Sequence, residues 1–331
     1  AAPSPGRWAR TRPPYSPPMQ TILGITLPFF ALILCGGVAA HRRWLPPAAV
    51  PGLNVFVLYF ALPCMLLRFG MRIPVRELLD PAVLLLYAAC TLAVVLVALR
   101  WAGARLPAPD AAFGALVAGF PNSGFIGVPL LVALLGDAAA GPVIVSLLVD
   151  LTLTSSLCIA LAQQDKSDWR RLLLRPLTNP LPWAIAVGAL LSALQWRLPG
   201  PVDTLVRMLG DAASPVALFT VGALLALSPP AHAGTQGVLP SVALKLLLHP
   251  ALLWVMGNAA IALGISLDRN ALVALTLAAA LPSASNVTLL ADRYGADAGR
   301  VARIVMISTV LAFLSFTTLA WNFGATASGL K

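Results

Sequence analysis

Long apolar runs separated by short polar breaks fill this sequence from residue 20 to residue 323. A helix needs about twenty mostly apolar residues to cross the hydrocarbon core of a bilayer. Runs of that kind recur ten times, at about 20–40, 47–67, 81–99, 111–135, 141–162, 181–196, 204–227, 238–264, 270–292 and 302–323. The pattern predicts an all-α membrane protein with ten transmembrane helices. What lies between the runs is short loop, and no stretch is long enough to hide a soluble domain. The longest break, Gln163 to Pro180, is polar and basic.

Spans 4 and 9 are interrupted. Span 4 contains Pro121-Asn122-Ser123-Gly124-Phe125-Ile126-Gly127-Val128-Pro129, and span 9 contains Pro282-Ser283-Ala284-Ser285-Asn286. Proline removes a backbone donor and clashes with the preceding turn, and glycine is costly in a helix interior. Broken backbone at bilayer depth survives only where protein or a water-filled cavity satisfies it. Paired breaks at matching places in two halves point to the binding site of a transporter. The candidate site residues are Pro121, Asn122, Ser123, Gly124, Pro282, Ser283, Ser285 and Asn286. Their amides and hydroxyls suit a carboxylate or amide ligand. The plainer reading is that they only cap the broken helix ends.

Five spans precede the central break and five follow it. An odd number per half forces the second half into the opposite orientation, which gives two inverted five-helix repeats with crossover helices at spans 4 and 9. The expected organisation is a first repeat over 19–163, a central cytoplasmic loop over 164–180, a second repeat over 181–325 and a tail over 326–331. Residues 1–18 are rich in Pro and Arg and lack the apolar run of a signal peptide. They read as a disordered tail or a mis-called extension ahead of Met19.

Composition narrows the class. The chain has 331 residues, 59% hydrophobic and 10% charged, with mean hydropathy +0.87. A soluble domain carries about 25% charged residues, so a soluble fold is excluded. The net charge of +10 is explained by basic loops between spans, not by nucleic acid. Loops after the odd-numbered spans hold Arg42, Arg43, Arg100, Arg105, Lys166, Arg170, Arg171, Arg175, Arg293, Arg300 and Arg303. The other side holds Arg68, Arg72, Arg76, Arg197, Arg207, Arg269 and Lys331. The bias places the central loop in the cytoplasm and both termini in the periplasm.

Ionisable residues inside spans are functional candidates. Asp150 sits mid-span and is a candidate proton carrier, with a structural hydrogen bond as its alternative. Lys245 either snorkels to the interface, pairs with Asp150 or attracts an anion. His249 reads as a hydrogen-bonded packing residue, Asp292 and Arg293 as an interfacial pair, and Arg68 as an interface anchor at the end of span 2. Cys35, Cys64, Cys90 and Cys158 lack metal or redox spacing and read as small apolar residues. A phosphate-binding loop, HExxH and GxSxG are missing. The expectations are therefore no catalytic residue, no metal site and no cofactor, with proton coupling left open.

The broken segments, quoted residue by residue above, resemble the two crossovers of the auxin efflux carrier family. The second match extends through Asp292-Arg293-Tyr294-Gly295-Ala296-Asp297. Leu27-Pro28-Phe29-Phe30 with Arg42-Arg43, and Lys245 with Pro250, resemble its first and eighth spans. The likeness covers 19–325, and the short central loop looks like that of bacterial members. It implies a secondary transporter of the bacterial inner membrane, moving a small organic anion, a mono- or dicarboxylate, around the crossover. Plant members export auxin, and bacterial members include proposed malonate and malate carriers. The related bile acid symporters bind sodium near their crossover with acidic and amide groups. The lack of an acidic residue beside Pro121 or Pro282 argues against sodium here. The expected partners are the anion and the lipid bilayer, with no nucleic acid and a homodimer left open. The competing readings are a receptor that keeps the transporter fold but only binds, and an intramembrane enzyme.

Overall fold

The computed structural model describes residues 19–74, 80–103, 105–163, 179–227 and 237–324. The two tails, Arg76 and the central-loop residues Lys166, Arg170, Arg171 and Arg175 lie outside the described residues, as does Lys331. Twelve helical segments cover most of the described residues: α1 Met19–His41, α2 Ala49–Arg72, α3 Pro81–Ala102, α4 Ala108–Gly119, α5 Ser123–Leu135 and α6 Asp137–Gln163. The remainder are α7 Pro180–Ala193, α8 Gly200–Leu227, α9 Val238–Ala262, α10 Arg269–Ala279, α11 Asn286–Arg293 and α12 Ala298–Asn322. Seven of them are long and apolar enough to cross a membrane. The interrupted runs appear as two short pairs, α4 with α5 and α10 with α11.

Starts and stops follow the local chemistry. Asp80 accepts from the amides of Ala82 and Val83 at 2.9 and 3.4 Å, and Asp268 from that of Ala271 at 3.2 Å. Asp297 accepts from the Arg300 amide at 2.8 Å. Each carboxylate satisfies donors that a helix start leaves free. Two expectations shift. Helix α2 runs on to Arg72, so Arg68 lies inside it and pairs with Asp211 of α8 at 2.5 Å. Arg300 is no loop charge: it is 3% exposed in the first turn of α12, beside the Asp110 carbonyl at 3.1 Å.

Helices α1, α2, α7 and α8 form one packed group, with α1 against α8 and α7 against α2 and α8 in contact with α2. Helices α3, α4, α6, α9, α10 and α12 form the other, where α3 meets α4 and α9 meets α10. Every residue from Ala111 to Gly119 and from Ala271 to Ala279 is buried. That is why α4 and α10 are apolar all round: protein surrounds them on every side.

Four widened π-helical turns occur among the described residues, at Val57–Ala61, Ser123–Gly127, Asp150–Thr154 and Leu244–Leu248. Three are followed two residues on by proline, at Pro63, Pro129 and Pro250. The proline ring cannot meet the carbonyl of an ordinary α turn, and a wider turn accommodates it.

Candidate functional site

The breaks meet. Pro121 and Ser283 form an isolated antiparallel bridge. The Asn122 amide donates to the Pro282 carbonyl at 2.8 Å, and the Ala284 amide to the Phe120 carbonyl at 3.0 Å. Two unwound strands of a few residues thus satisfy each other where no water or regular ladder would.

The stub ends need partners too. Pro121 has no N–H to offer the Val117 carbonyl one turn back, and the Ser283 hydroxyl donates to it instead at 2.7 Å. The Ser283 amide donates to the Ser308 hydroxyl of α12 at 3.1 Å. The Asn122 carbonyl accepts from the amides of Ile126 and Gly127, both at 3.0 Å, which starts α5. The Ser123 hydroxyl is buried without a partner. Ser285 is buried at the start of α11. Gly124 is buried against Leu62 and Leu147.

Asn122 and Asn286 line one small pocket of about 20 Å³, with Pro121, Gly124 and Ala284. Leu58, Phe120, Leu151, Leu181 and Asn286 are common to this pocket and a larger cavity of about 350 Å³. The larger cavity lies between α2, α6, α7 and α11 and carries Ser155, Ser156, Asn179, Asn286 and Arg293 among apolar walls. Asn179 and Pro180 directly follow the central loop in sequence, and Phe120 and Asn286 belong to the crossover, so the cavity reaches from one to the other. The starts of α5 and α11 both meet there, and helix starts favour anions. Arg293 faces this cavity instead of pairing with Asp292.

Asp150 and Lys245 lie elsewhere, in a buried polar cluster behind the crossover. The Tyr87 hydroxyl donates to Asp150 at 2.8 Å and the Thr154 hydroxyl at 3.3 Å. The Lys245 ammonium donates to the Ala279 carbonyl at 2.6 Å and lies 3.5 Å from Nδ1 of His249. The other ring nitrogen of His249 is 3.1 Å from the Thr91 hydroxyl. Lys245 is fully buried and spends its ammonium on the Ala279 carbonyl, so it does not snorkel. His249 is buried and hydrogen-bonded on both ring nitrogens. Sequence reasoning missed Tyr87, Thr91 and Ser308. Their signal was available as polar groups in otherwise apolar spans.

Comparison with known proteins agrees with this architecture. The family described as membrane transport protein matches residues 21–168 and 166–320. Among similar proteins, one of Rhizobium meliloti (strain 1021), named "Putative malonate transporter", is 29% identical over 318 residues, 92% of this chain and 96% of its own length. Another, "Uncharacterized transporter YfdV" of Escherichia coli (strain K12), is 25% identical over 284 residues, 82% of this chain and 88% of its own length. A Shigella flexneri protein of the same name matches to the same extent. The chain therefore belongs to the membrane transport protein family, the auxin efflux carriers that its crossover motifs resemble, and is a multi-pass transporter, not an enzyme.

Proposed function

We propose that this chain is a secondary active transporter that moves a small mono- or dicarboxylate across a bacterial inner membrane by alternating access around the crossover. The observation that carries the reading is the cavity of about 350 Å³ with Arg293 and Asn286 in its wall, continuing to Asn122 and the start of α5. Its size suits a small molecule. An arginine offers a carboxylate paired N–H donors, and helix starts add free amides. The malonate in the name of the Rhizobium meliloti relative is a dicarboxylate of this class.

Counting each broken pair as one span gives ten spans, and packing supports their reading as inverted repeats over 19–163 and 181–325. Helix α1 crosses α8 through Gly36 and Gly222, and α7 crosses α2 through Gly188 and Gly70. Gly36 and Gly70 stand the same number of residues apart as Gly188 and Gly222. An inverted repeat requires that exchange of partners. With the basic central loop inside, the cavity opens to the cytoplasm and both termini lie in the periplasm.

The first test is thermal shift of the purified protein with malonate, malate, succinate and indole acetate. A ligand at a hundred times its Kd stabilises by about 2.7 kcal/mol. The expected result is a rise in melting temperature with a dicarboxylate that Asn122→Ala removes, followed by uptake of that compound into proteoliposomes. Binding without uptake would leave a receptor and overturn transport.

Asp150 is the proposed proton carrier, since Tyr87 and Thr154 hold its carboxyl without charge compensation by a direct ion pair. Asp150→Asn is expected to flatten the dependence of uptake on external pH. If the variant transports with the wild-type pH profile, Asp150 is structural.

A further inference from the structure

A second cavity, of about 240 Å³, lies between α2, α5 and α8. The two broken segments run antiparallel where they bridge, so α5 leaves the crossing in the direction opposite to α11. The cavity of about 350 Å³ touches α11, and the second one touches Pro129 of α5. Along α2 the first reaches Leu58 and Tyr59 and the second Arg68 and Arg72, roughly 15 Å further along the helix axis. The two also correspond under the repeat proposed above. The offset that carries Gly36 onto Gly188 and Gly70 onto Gly222 carries Leu58 onto Gly210 and Tyr59 onto Asp211. The offset from Pro121 to Pro282 carries Pro129 onto Leu290. Leu58, Tyr59 and Leu290 line the first cavity, and Gly210, Asp211 and Pro129 the second.

We propose that the second cavity is an outer docking site for a carboxylate, in which the ligand takes over Arg68 from Asp211 and Arg72 supplies the second contact. The proposal rests on the carboxylate-transport reading and its orientation, which put this end of α2 on the periplasmic side. Arg68 and Arg72 both line the cavity, with Ser214 of α8 beside them. Residues four apart share a helix face, so the two guanidinium groups serve one space. Asp211 pairs with Arg68 at 2.5 Å, and no ion pair holds Arg72 among the described residues. Arginine binds a carboxylate through paired N–H donors, so an arriving carboxylate offers Arg68 the same bonds that Asp211 does. The Asp211 side chain is 64% exposed and that of Arg68 23%. The displaced aspartate therefore turns into water while Arg68 stays in the wall. Asp211 is in effect a tethered carboxylate that keeps Arg68 satisfied until a free one arrives. In the first cavity Tyr59 stands at the matching position, so no tethered carboxylate competes there. A cavity just below the usual range for small-molecule sites, about 300–1,000 Å³, suits an anion of a few carbons.

The test measures uptake of labelled malonate and succinate by right-side-out membrane vesicles, where only the periplasmic face meets the anion. Wild type, Asp211→Asn, Arg68→Gln and Arg72→Gln are compared, with the melting temperature of each purified variant. Asp211→Asn removes the competitor and is expected to lower KM by up to about fivefold, the worth of an exposed ion pair. Arg68→Gln is expected to raise KM about tenfold or more, the worth of a hydrogen bond to a charged group. Arg72→Gln breaks no pair and is expected to raise KM with melting unchanged. In all three kcat is expected to stay close to wild type. A merely structural pair predicts the same direction for Asp211→Asn and Arg68→Gln, since either leaves one partner alone. KM moving the same way in both, or unmoved in Asp211→Asn and Arg72→Gln, overturns the docking site. The latter two variants decide the matter if Arg68→Gln does not fold. Wild type that takes up neither anion overturns the carboxylate reading and the docking site with it. Wild-type uptake with the wrong variant pattern overturns the docking site alone.

Discussion

Loss of carboxylate uptake is the expected result of combining Asn122→Ala with Asn286→Ala. Both residues line the pocket where the two crossover segments meet. The backbone bonds that build the crossing come from the Asn122 amide and carbonyl, which alanine keeps. The double variant therefore removes two side-chain amides and leaves the fold. A hydrogen bond to a charged group contributes about 1.5–3 kcal/mol, so two such losses lower binding by roughly a hundredfold to ten-thousandfold. Uptake into proteoliposomes, with reconstituted protein quantified and its melting temperature matched to wild type, checks this. Unchanged uptake by a folded double variant would remove the crossover as the substrate site.

The largest structural effect is expected from Gly222→Ala. A Cβ at Gly222 would lie 1.8 Å from the Ile33 carbonyl oxygen and 2.9 Å from the Gly37 nitrogen. These are backbone atoms of α1, which cannot rotate away as a side chain would. The helices must separate, and overpacking of a tight core costs about 1–3 kcal/mol or more. Small residues at such crossings let membrane helices approach closely. The variant is expected to melt several degrees below wild type, by tryptophan fluorescence. Gly24→Ala, in the facing helix α1, is the control, because its Cβ meets nothing within 4 Å. If both variants melt with wild type, the close approach of α1 and α8 is not what the packing implies.

The sequence made the helical class and the two breaks legible for simple reasons. Apolar runs of span length report bilayer crossing directly, and Pro121 and Pro282 cannot sit in an unbroken helix. Ends were less legible: α2 was expected to stop near residue 67 and reaches Arg72, because its last turns are partly polar and pair with α8. Arg300 looked like a loop charge for the same reason, since nothing in its sequence surroundings shows Asp110 packed beside it. At the candidate site, Asn122 and Asn286 were legible from their place beside the prolines, and they do converge on one pocket. The partners of Asp150 and Lys245 were not. Tyr87 reaches Asp150, and the carbonyl of Ala279 reaches Lys245, across separations that only tertiary packing closes. Arg293 was read together with its chain neighbour Asp292, whereas helix geometry turns it to the cavity.

The widened turns also bear on how this chain tolerates change in length. Each π turn holds one residue more than an α turn, which makes it equivalent to an insertion kept in place. An α-helix advances about 100° per residue. Deleting a single residue within Leu244–Leu248 would let the turn close to an ordinary α turn, leaving the flanks of α9 near their present register but shifting each residue of the turn relative to them. Lys245 lies inside the turn and His249 just after it, four residues on; a deletion between them makes that spacing three and changes the face they share toward Ala279 and Thr91. The polar cluster is thus held by chain count as much as by side-chain identity, a dependence that substitutions leave silent and deletions expose.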